Sequence, residues 1–297
     1  MPDWQATYAA LADVGIKALR TGEPQSVTGG DISDAWRLPT ESGPVFLKTG
    51  PAASAAMFAA EADGLDEIAA AETIRTPRAL GAGTAGPIAW LALEWLDVQS
   101  TNSEIDERLG RRLAAMHRRT ASAHGWHRDN TIGSTPQLNT QATEWWRFWH
   151  DARLLPQLEL AARYGYTGRI QDLGRQLLDS LPHFFRGHEP QASLLHGDLW
   201  SGNRGSVGGE PVIFDPAVYY GDRETDLAMT RLFGGFSERF YSAYTDSWPL
   251  PSGHERRLPM YQLYHLLNHL NLFGSGYLSR CEAIIEALLD GRTGTDG

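Results

Sequence analysis

The sequence predicts an α+β protein in which a strand-rich first third precedes a helix-rich remainder. Three observations carry this. Short apolar runs broken by turn residues recur up to Leu96. From Ser103 onward, apolar residues recur at helical spacing. Within that helical part, two short apolar runs, 192–196 and 211–215, flank a polar segment rich in Asp, Asn and Gly.

Residues 3–20 carry Trp4, Tyr8, Leu11 and Leu19 on one side of a helix. Thr28-Gly29-Gly30-Asp31 marks a turn. Ala35–Leu38 and Val45–Lys48 read as strands joined by the turn Pro39–Gly43. Residues 52–71 are Ala-rich and helical, with Met57, Phe58, Leu65 and Ile68 on one stripe. Glu61 falls on that stripe. A carboxylate buried there needs a cation, and Lys48 is the nearest candidate upstream. Thr73–Leu80 reads as loop and strand, Ala82–Pro87 as a turn, and Ile88–Leu96 as an apolar strand.

Ser103-x-x-Asp106 matches a capping box ahead of Leu109, Leu113 and Met116. Residues 120–142 read as a long loop, and 143–162 and 168–182 as helices, with Trp145, Trp146, Phe148 and Trp149 crowded together. Gly208-Gly209 suits a hairpin turn. The last helix covers 279–290. The division near residue 97 gives two domains, 1–97 and 98–297. No internal repeat is present.

Composition narrows the function. The chain has 297 residues, with 26 Lys and Arg against 36 Asp and Glu, a net charge of −10. That balance excludes non-specific nucleic-acid binding, which needs cations against phosphate. No run approaches the ~20 apolar residues of a membrane helix, and the N-terminus does not read as a secretory leader. The single cysteine, Cys281, rules out an internal disulfide and fits a reducing, cytoplasmic setting.

The chemistry lies in His196-Gly197-Asp198-Leu199-Trp200-Ser201-Gly202-Asn203, followed by Asp215 at the end of Pro211-Val212-Ile213-Phe214. Asp198 offers a carboxylate to accept a hydroxyl proton. Asn203 and Asp215 offer the hard oxygens that Mg²⁺ prefers. Lys48 with Glu61 offers a held ammonium for phosphate oxygens. Together they form the set that phosphoryl transfer from a nucleoside triphosphate requires. The pair Gly29-Gly30 would let backbone approach phosphates, and serves an ordinary hairpin equally well. His196 reads as a buried ring that props the loop. His265 and His269 share a helix face, but no Glu completes an H-E-x-x-H motif, so they read as packing or pocket lining. Ser201 lacks a nucleophile elbow.

These residues resemble the protein-kinase-like superfamily of small-molecule kinases. At finer grain, Leu195–Asn203, Phe214–Met229, Leu232–Phe236, Asp129-Asn130-x-Ile132-Gly133 and Tyr264–His269 resemble the fructosamine kinase (ketosamine-3-kinase) family, over about residues 10–290. The resemblance implies a bilobal fold, with a small antiparallel-sheet lobe that binds nucleotide and a larger, mainly helical catalytic lobe. It implies ATP and Mg²⁺ as cofactors, with adenine against Glu94-Trp95-Leu96. It implies Asp198 as base, Asn203 and Asp215 as metal ligands, Lys48 with Glu61 as phosphate anchor, and Asp226 as a brace for the catalytic loop. The implied substrate is a ketosamine, free or protein-bound, phosphorylated on its sugar 3-hydroxyl, which releases the amine and reverses glycation. Trp200, Tyr219 and Tyr220 are candidates to shape the sugar pocket. A monomer or weak dimer is expected. Residues 27–35 hold no cysteine, which excludes redox control through that turn. Two other readings stay open: a kinase for another small hydroxylated amine such as an aminoglycoside, and a nucleotide-binding regulator without turnover.

Overall fold

The computed structural model describes residues 4–19, 22–27 and 33–293. Gly29 and Gly30 lie outside the described residues. In chain order the small lobe comprises α1 (Trp4–Asp13), β1 (Gln25–Val27), β2 (Asp34–Leu38), β3 (Val45–Pro51), α2 (Ala55–Ala69), β4 (Ala79–Ala85) and β5 (Ile88–Glu94). Its strands form one antiparallel sheet in the order β1-β2-β3-β5-β4.

Alternation along β3 sorts its side chains to opposite faces. Val45 and Leu47 join Leu11 of α1 in one apolar cluster. Phe46 packs with Phe58 and Leu65 of α2 in the other. Lys48 shares the parity of Phe46 and therefore faces α2.

The large lobe adds α3 (Ser103–His117), β6 (Thr120–Ala121), β7 (Asn130–Ile132), β8 (Thr135–Gln137), α4 (Trp145–Trp149), α5 (Leu155–Arg163), α6 (Arg169–Phe184), β9 (Ala192–Leu195), β10 (Arg204–Val207), β11 (Glu210–Ile213), β12 (Tyr219–Gly221), α7 (Glu224–Leu232), α8 (Glu238–Ser247), α9 (His254–Phe273) and α10 (Leu278–Thr293). Its core gathers Trp145, Phe148, Trp149, Tyr219, Tyr261 and Tyr264. At its centre the buried Arg153 guanidinium lies 3.9 Å from the Tyr219 ring. This is a strand-rich small lobe joined to a mainly helical large one, the bilobal α+β architecture.

Four local readings are corrected by the structure. The first helix ends at Asp13 rather than near residue 20, because Gly15 takes φ +85° and the chain turns there. The turn read over Ala82–Pro87 is mostly strand: β4 continues to Ala85. Its small residues make room for a ring, since a Cβ on Gly83 would lie 3.0 Å from Trp90. The long loop over 120–142 holds β6 and the β7–β8 hairpin. The cap of α3 is Asn102, whose side chain accepts the N–H groups of Glu104 and Ile105 at 3.0 Å. Asp106 is buried and bonded elsewhere.

Helix α2 is fastened to the large lobe. Tyr220 donates its hydroxyl to Glu67 at 2.7 Å. Arg128 pairs with Asp63 at 2.5 Å. Arg119 donates to the Ala70 carbonyl at 3.1 Å. Gly64 lets the helix approach Val218, where a Cβ would meet a methyl at 3.2 Å.

Candidate active site

The β10–β11 hairpin builds half of the site. Gly208 and Gly209 take φ +60° and +80° at its tip, the left-handed pair that a tight two-residue hairpin requires. Arg204 then pairs with Ile213, and Phe214 donates its N–H to the Asn203 carbonyl at 3.1 Å. Asn203 and Asp215 thus end side by side, one on each leg. Asp215 takes φ +56°, a conformation costly for a non-glycine residue, which aims its carboxylate back toward β3.

There it meets Lys48. The Lys48 Nζ lies 2.8 Å from Asp215 and 2.7 Å from Glu61. The two carboxylates hold the ammonium protonated well beyond its ordinary range, although burial alone would do the opposite. Burial pushes Glu61 up, with the Asp215 charge adding to it and the Lys48 ammonium opposing.

Asp198 follows β9. Burial, then the charges of Asp215 and Asp226, push its carboxyl up to about 7. Asn203 anchors the segment from the other end. Its amide nitrogen donates to the Asp198 carbonyl at 2.9 Å, to the Asp198 carboxylate at 3.3 Å and to the Asp215 carbonyl at 3.4 Å. Those acceptors fix the amide orientation, and leave its oxygen facing away from them.

The loop between β9 and Asp198 is held from beneath. Asp226 accepts the N–H of His196 at 2.8 Å and that of Gly197 at 2.9 Å. His117 approaches the same carboxylate at 3.1 Å. Burial disfavours the Asp226 anion, yet these donors hold it below the usual carboxylate range. The His196 ring is buried and bonded at 3.0 Å to the Phe214 carbonyl, while its Nδ1 accepts the Asp198 N–H at 3.3 Å. Burial lowers its pKa, so the ring is a neutral strut. Gly197 takes φ +82°, and a Cβ there would lie 2.0 Å from the Ala217 carbonyl.

The aromatic candidates separate. Trp200 is 41% exposed, its ring folded over Gly202, where a Cβ would lie 2.2 Å away. Tyr219 is a correction: it is 1% exposed, its ring packed against Phe148 and Arg153. The inward parity of β12 puts it in the core, where it has no face for a sugar. Tyr220 is half-buried, its hydroxyl committed to Glu67. Glu94 pairs with Arg75 at 3.0 Å, so in the segment Glu94-Trp95-Leu96 the Glu94 carboxylate is already engaged. Trp95 lies beneath Arg37 and beside Phe46.

The remaining histidines do not form a metal site. His269 donates to the His265 carbonyl at 2.8 Å, one turn back. Burial lowers the His265 pKa to about 3. Among the described residues, His188, Asp222 and Glu224 bring ligand atoms within 4.8 Å of one another. Each is already committed. Arg257 takes both Glu224 oxygens at 2.7 and 2.8 Å, and His188 and Tyr261 take Asp222 at 2.6 and 2.5 Å.

Sequence reasoning passed over Arg204 and took Asp106 for a cap. Arg204, next to Asn203, is buried and pairs with Asp106. A cation opening a strand beside the metal-ligand candidate was the only signal.

A lysine on the third strand, a glutamate on the following helix, and an Asp–Asn–Asp cluster after the crossing into the helical lobe define a phosphotransferase of the protein-kinase-like fold. That fold is shared with an aminoglycoside phosphotransferase crystallised with AMP-PNP and hygromycin B, at TM-score 0.63 and 14% identity over 93% of this chain and 95% of that one. The chain belongs to the fructosamine kinase family, whose model matches residues 3–291. It is 41% identical to a probable ketoamine kinase of Synechocystis over 96% of this chain and 97% of that protein. It is also 41% identical to a chloroplastic protein-ribulosamine 3-kinase of Arabidopsis thaliana, over 92% and 84%. A crystal structure of a putative fructosamine-3-kinase from Haemophilus somnus superposes with TM-score 0.88 at 28% identity, over 96% and 97%. No helix among the described residues is long and apolar enough to cross a membrane.

Proposed function

We propose that this chain is an ATP-dependent kinase of ketosamines, phosphorylating the sugar 3-hydroxyl of fructosyl- or ribulosyl-amines, free or on protein. The observation that supports it most is the convergence of Lys48, Glu61 and Asp215 through contacts of 2.7 and 2.8 Å, with Asn203 tying Asp198 into the same cluster.

In this reading residues 1–97 bind nucleotide and 98–297 bind acceptor and carry the base. Adenine would lie against the backbone of Glu94-Trp95-Leu96. Lys48, held by Glu61, draws the α- and β-phosphate oxygens. Asn203 and Asp215 fit a magnesium ion. One offers the amide oxygen left over by its donated bonds, the other a carboxylate of which Lys48 engages one oxygen. When bound, the ion neutralises charge on the phosphoryl group.

Asp198 accepts the acceptor's hydroxyl proton as the O3–phosphorus bond forms and the bond to the ADP oxygen breaks. Its raised pKa suits that task, because a base is most effective when its pKa lies near the working pH. Asp226 and His196 keep the carboxylate aimed by holding the backbone on either side of Gly197. Loss of the 3-phosphate group from such a product would free the amine, a repair of glycation carried out in the cytoplasm.

The test is ADP release in a coupled assay, with fructosyl-lysine and ribulosyl-lysine against an aminoglycoside panel. Turnover with the ketosamines is expected. Phosphorylation of aminoglycosides alone would replace the substrate, and binding of nucleotide without any transfer would replace the reading by a regulator.

A further inference from the structure

We infer that Arg204 is a positioning residue for the acceptor side of the cleft: it clamps the Phe233–Ser237 loop onto the catalytic segment, so that Phe233 and Trp200 form a two-ring wall for the phosphate acceptor. This rests on the reading of Asp198 as the base.

The clamp is made from three parts of the chain. Arg204 directly follows Asn203 and is buried. Its guanidinium pairs with Asp106 of α3 and donates to the Gly235 carbonyl. Its planar face lies 4.0 Å from the Phe236 ring. The second Asp106 oxygen accepts the Ser237 N–H at 2.8 Å. One ion pair thus grips the loop at three successive residues, 235, 236 and 237.

The loop is shaped to be held there. Gly234 and Gly235 take φ +73° and +91°. A Cβ on Gly235 would lie 2.6 Å from the Ser201 Cβ and 2.9 Å from its hydroxyl. The loop therefore lies flush on the catalytic segment, three residues past Asp198, with no room for a side chain between.

In this proposal the acceptor enters along the Ser201–Gly235 contact, and the nucleotide along the Lys48–Asp215 pair. The Ser201–Gly235 contact is bracketed by Trp200 and Phe233, two of the few large apolar side chains that are exposed, at 41% and 40%. The Phe233 ring is backed by His269 at 4.9 Å, and His269 in turn by Tyr277 at 5.2 Å. Exposed rings supported from behind suit the C–H faces of a sugar and the ammonium of its amine, which an aromatic face attracts.

Lysine cannot replace this arginine. An ammonium is a point charge without the fork or the stacking plane, so Arg204→Lys keeps the charge opposite Asp106 but releases Gly235 and Phe236. The paired variant Asp106→Asn with Arg204→Met leaves no buried unpaired charge, and Phe233→Ala changes only an exposed ring. In all three, the acceptor KM should rise about five- to tenfold, with the ATP KM and acceptor-independent ATP hydrolysis within about twofold of the parent.

The acceptor is whichever amine the unaltered enzyme phosphorylates. A wrong substrate therefore shows in the parent, and a wrong clamp only in the variants. An unchanged acceptor KM in Phe233→Ala overturns the wall. An unchanged acceptor KM in Arg204→Lys and the paired variant overturns the clamp, as does a rise in both KM values together with falling ATP hydrolysis.

Discussion

Lys48 and Asp215 stand 167 positions apart in the chain and 2.8 Å apart in space. The contact spans the two lobes and places a small-lobe cation against the large-lobe carboxylate that closes the β10–β11 hairpin. With Glu61 on the other side, a buried ammonium is balanced by two acids. Removal of the cation leaves two like charges close together, that of Glu61 largely buried and that of Asp215 partly open to water.

Lys48→Met should therefore lower kcat/KM for ATP at least about a hundredfold, as expected when a charged contact to transferring phosphates is lost. Glu61→Gln should cost less, since Asp215 still holds the ammonium. Steady-state kinetics with ATP as the varied substrate checks both, and equal losses in the two variants would count against Lys48 as the direct contact.

Asp198→Asn should leave nucleotide affinity within about twofold while lowering kcat at least about a hundredfold, the scale of a missing general base. It should also stabilise the fold. The folded-state pKa of about 7 lies above the ordinary 3.8, so the folded protein keeps a proton that the unfolded chain has lost. Stability tied to this group is present below about pH 4 and is lost as pH rises through 7. The ceiling is about 4 kcal/mol for a shift of this size. Asparagine removes that penalty, and a higher Tm for the variant at pH 8, with little difference at pH 4, is the expected calorimetric result.

The same value sets the pH profile. A base must be unprotonated to act, so kcat/KM should climb tenfold per pH unit on the acid side and level off above about 7. His196, neutral and buried, should contribute no limb of its own. A profile flat from pH 5 to 8 would remove Asp198 from the proton transfer.

Gly197→Ala tests the loop. Its Cβ would fall 2.0 Å from the Ala217 carbonyl at a φ of +82°, and backbone must move to relieve both. Movement there breaks the N–H bonds to Asp226 and displaces Asp198. Loss of activity by at least about a hundredfold is expected, since small misplacements of a reacting group carry penalties of that order. Native-like activity in this variant would show the loop to be more compliant than its contacts indicate.

Cys281 is fully buried, and burial raises its thiol to about 12. A thiolate is the reactive form, so the native protein should be inert to a thiol-disulfide reagent and become reactive with the midpoint of unfolding. Rapid native labelling would place the thiol nearer the surface.

Much of this was legible in the residues. The stripe carrying Glu61 called for a cation and pointed to Lys48 upstream, and the two glycines at 208–209 marked the hairpin turn between Asn203 and Asp215. Motif resemblance supplied the kinase fold and the family. What stayed hidden depended on contacts between distant segments. Asp106 has the spacing of a helix cap, and only the arrival of Arg204 from another strand shows why it is buried. Tyr219 and Tyr220 look alike in sequence, and strand parity alone sends the first into the core. The small residues of β4 read as a turn because their purpose, space for Trp90, belongs to the neighbouring strand.

The bonds from Tyr220, Arg128 and Arg119 to the helix that bears Glu61 have a regulatory consequence. A kinase can be switched off by rotating this helix outward until its glutamate loses the lysine. Here that rotation would have to rupture three attachments to the opposite lobe and unpack Gly64 from Val218 at the same moment. Outward rotation of this helix therefore costs those four contacts together, in addition to the Lys48–Glu61 pair itself.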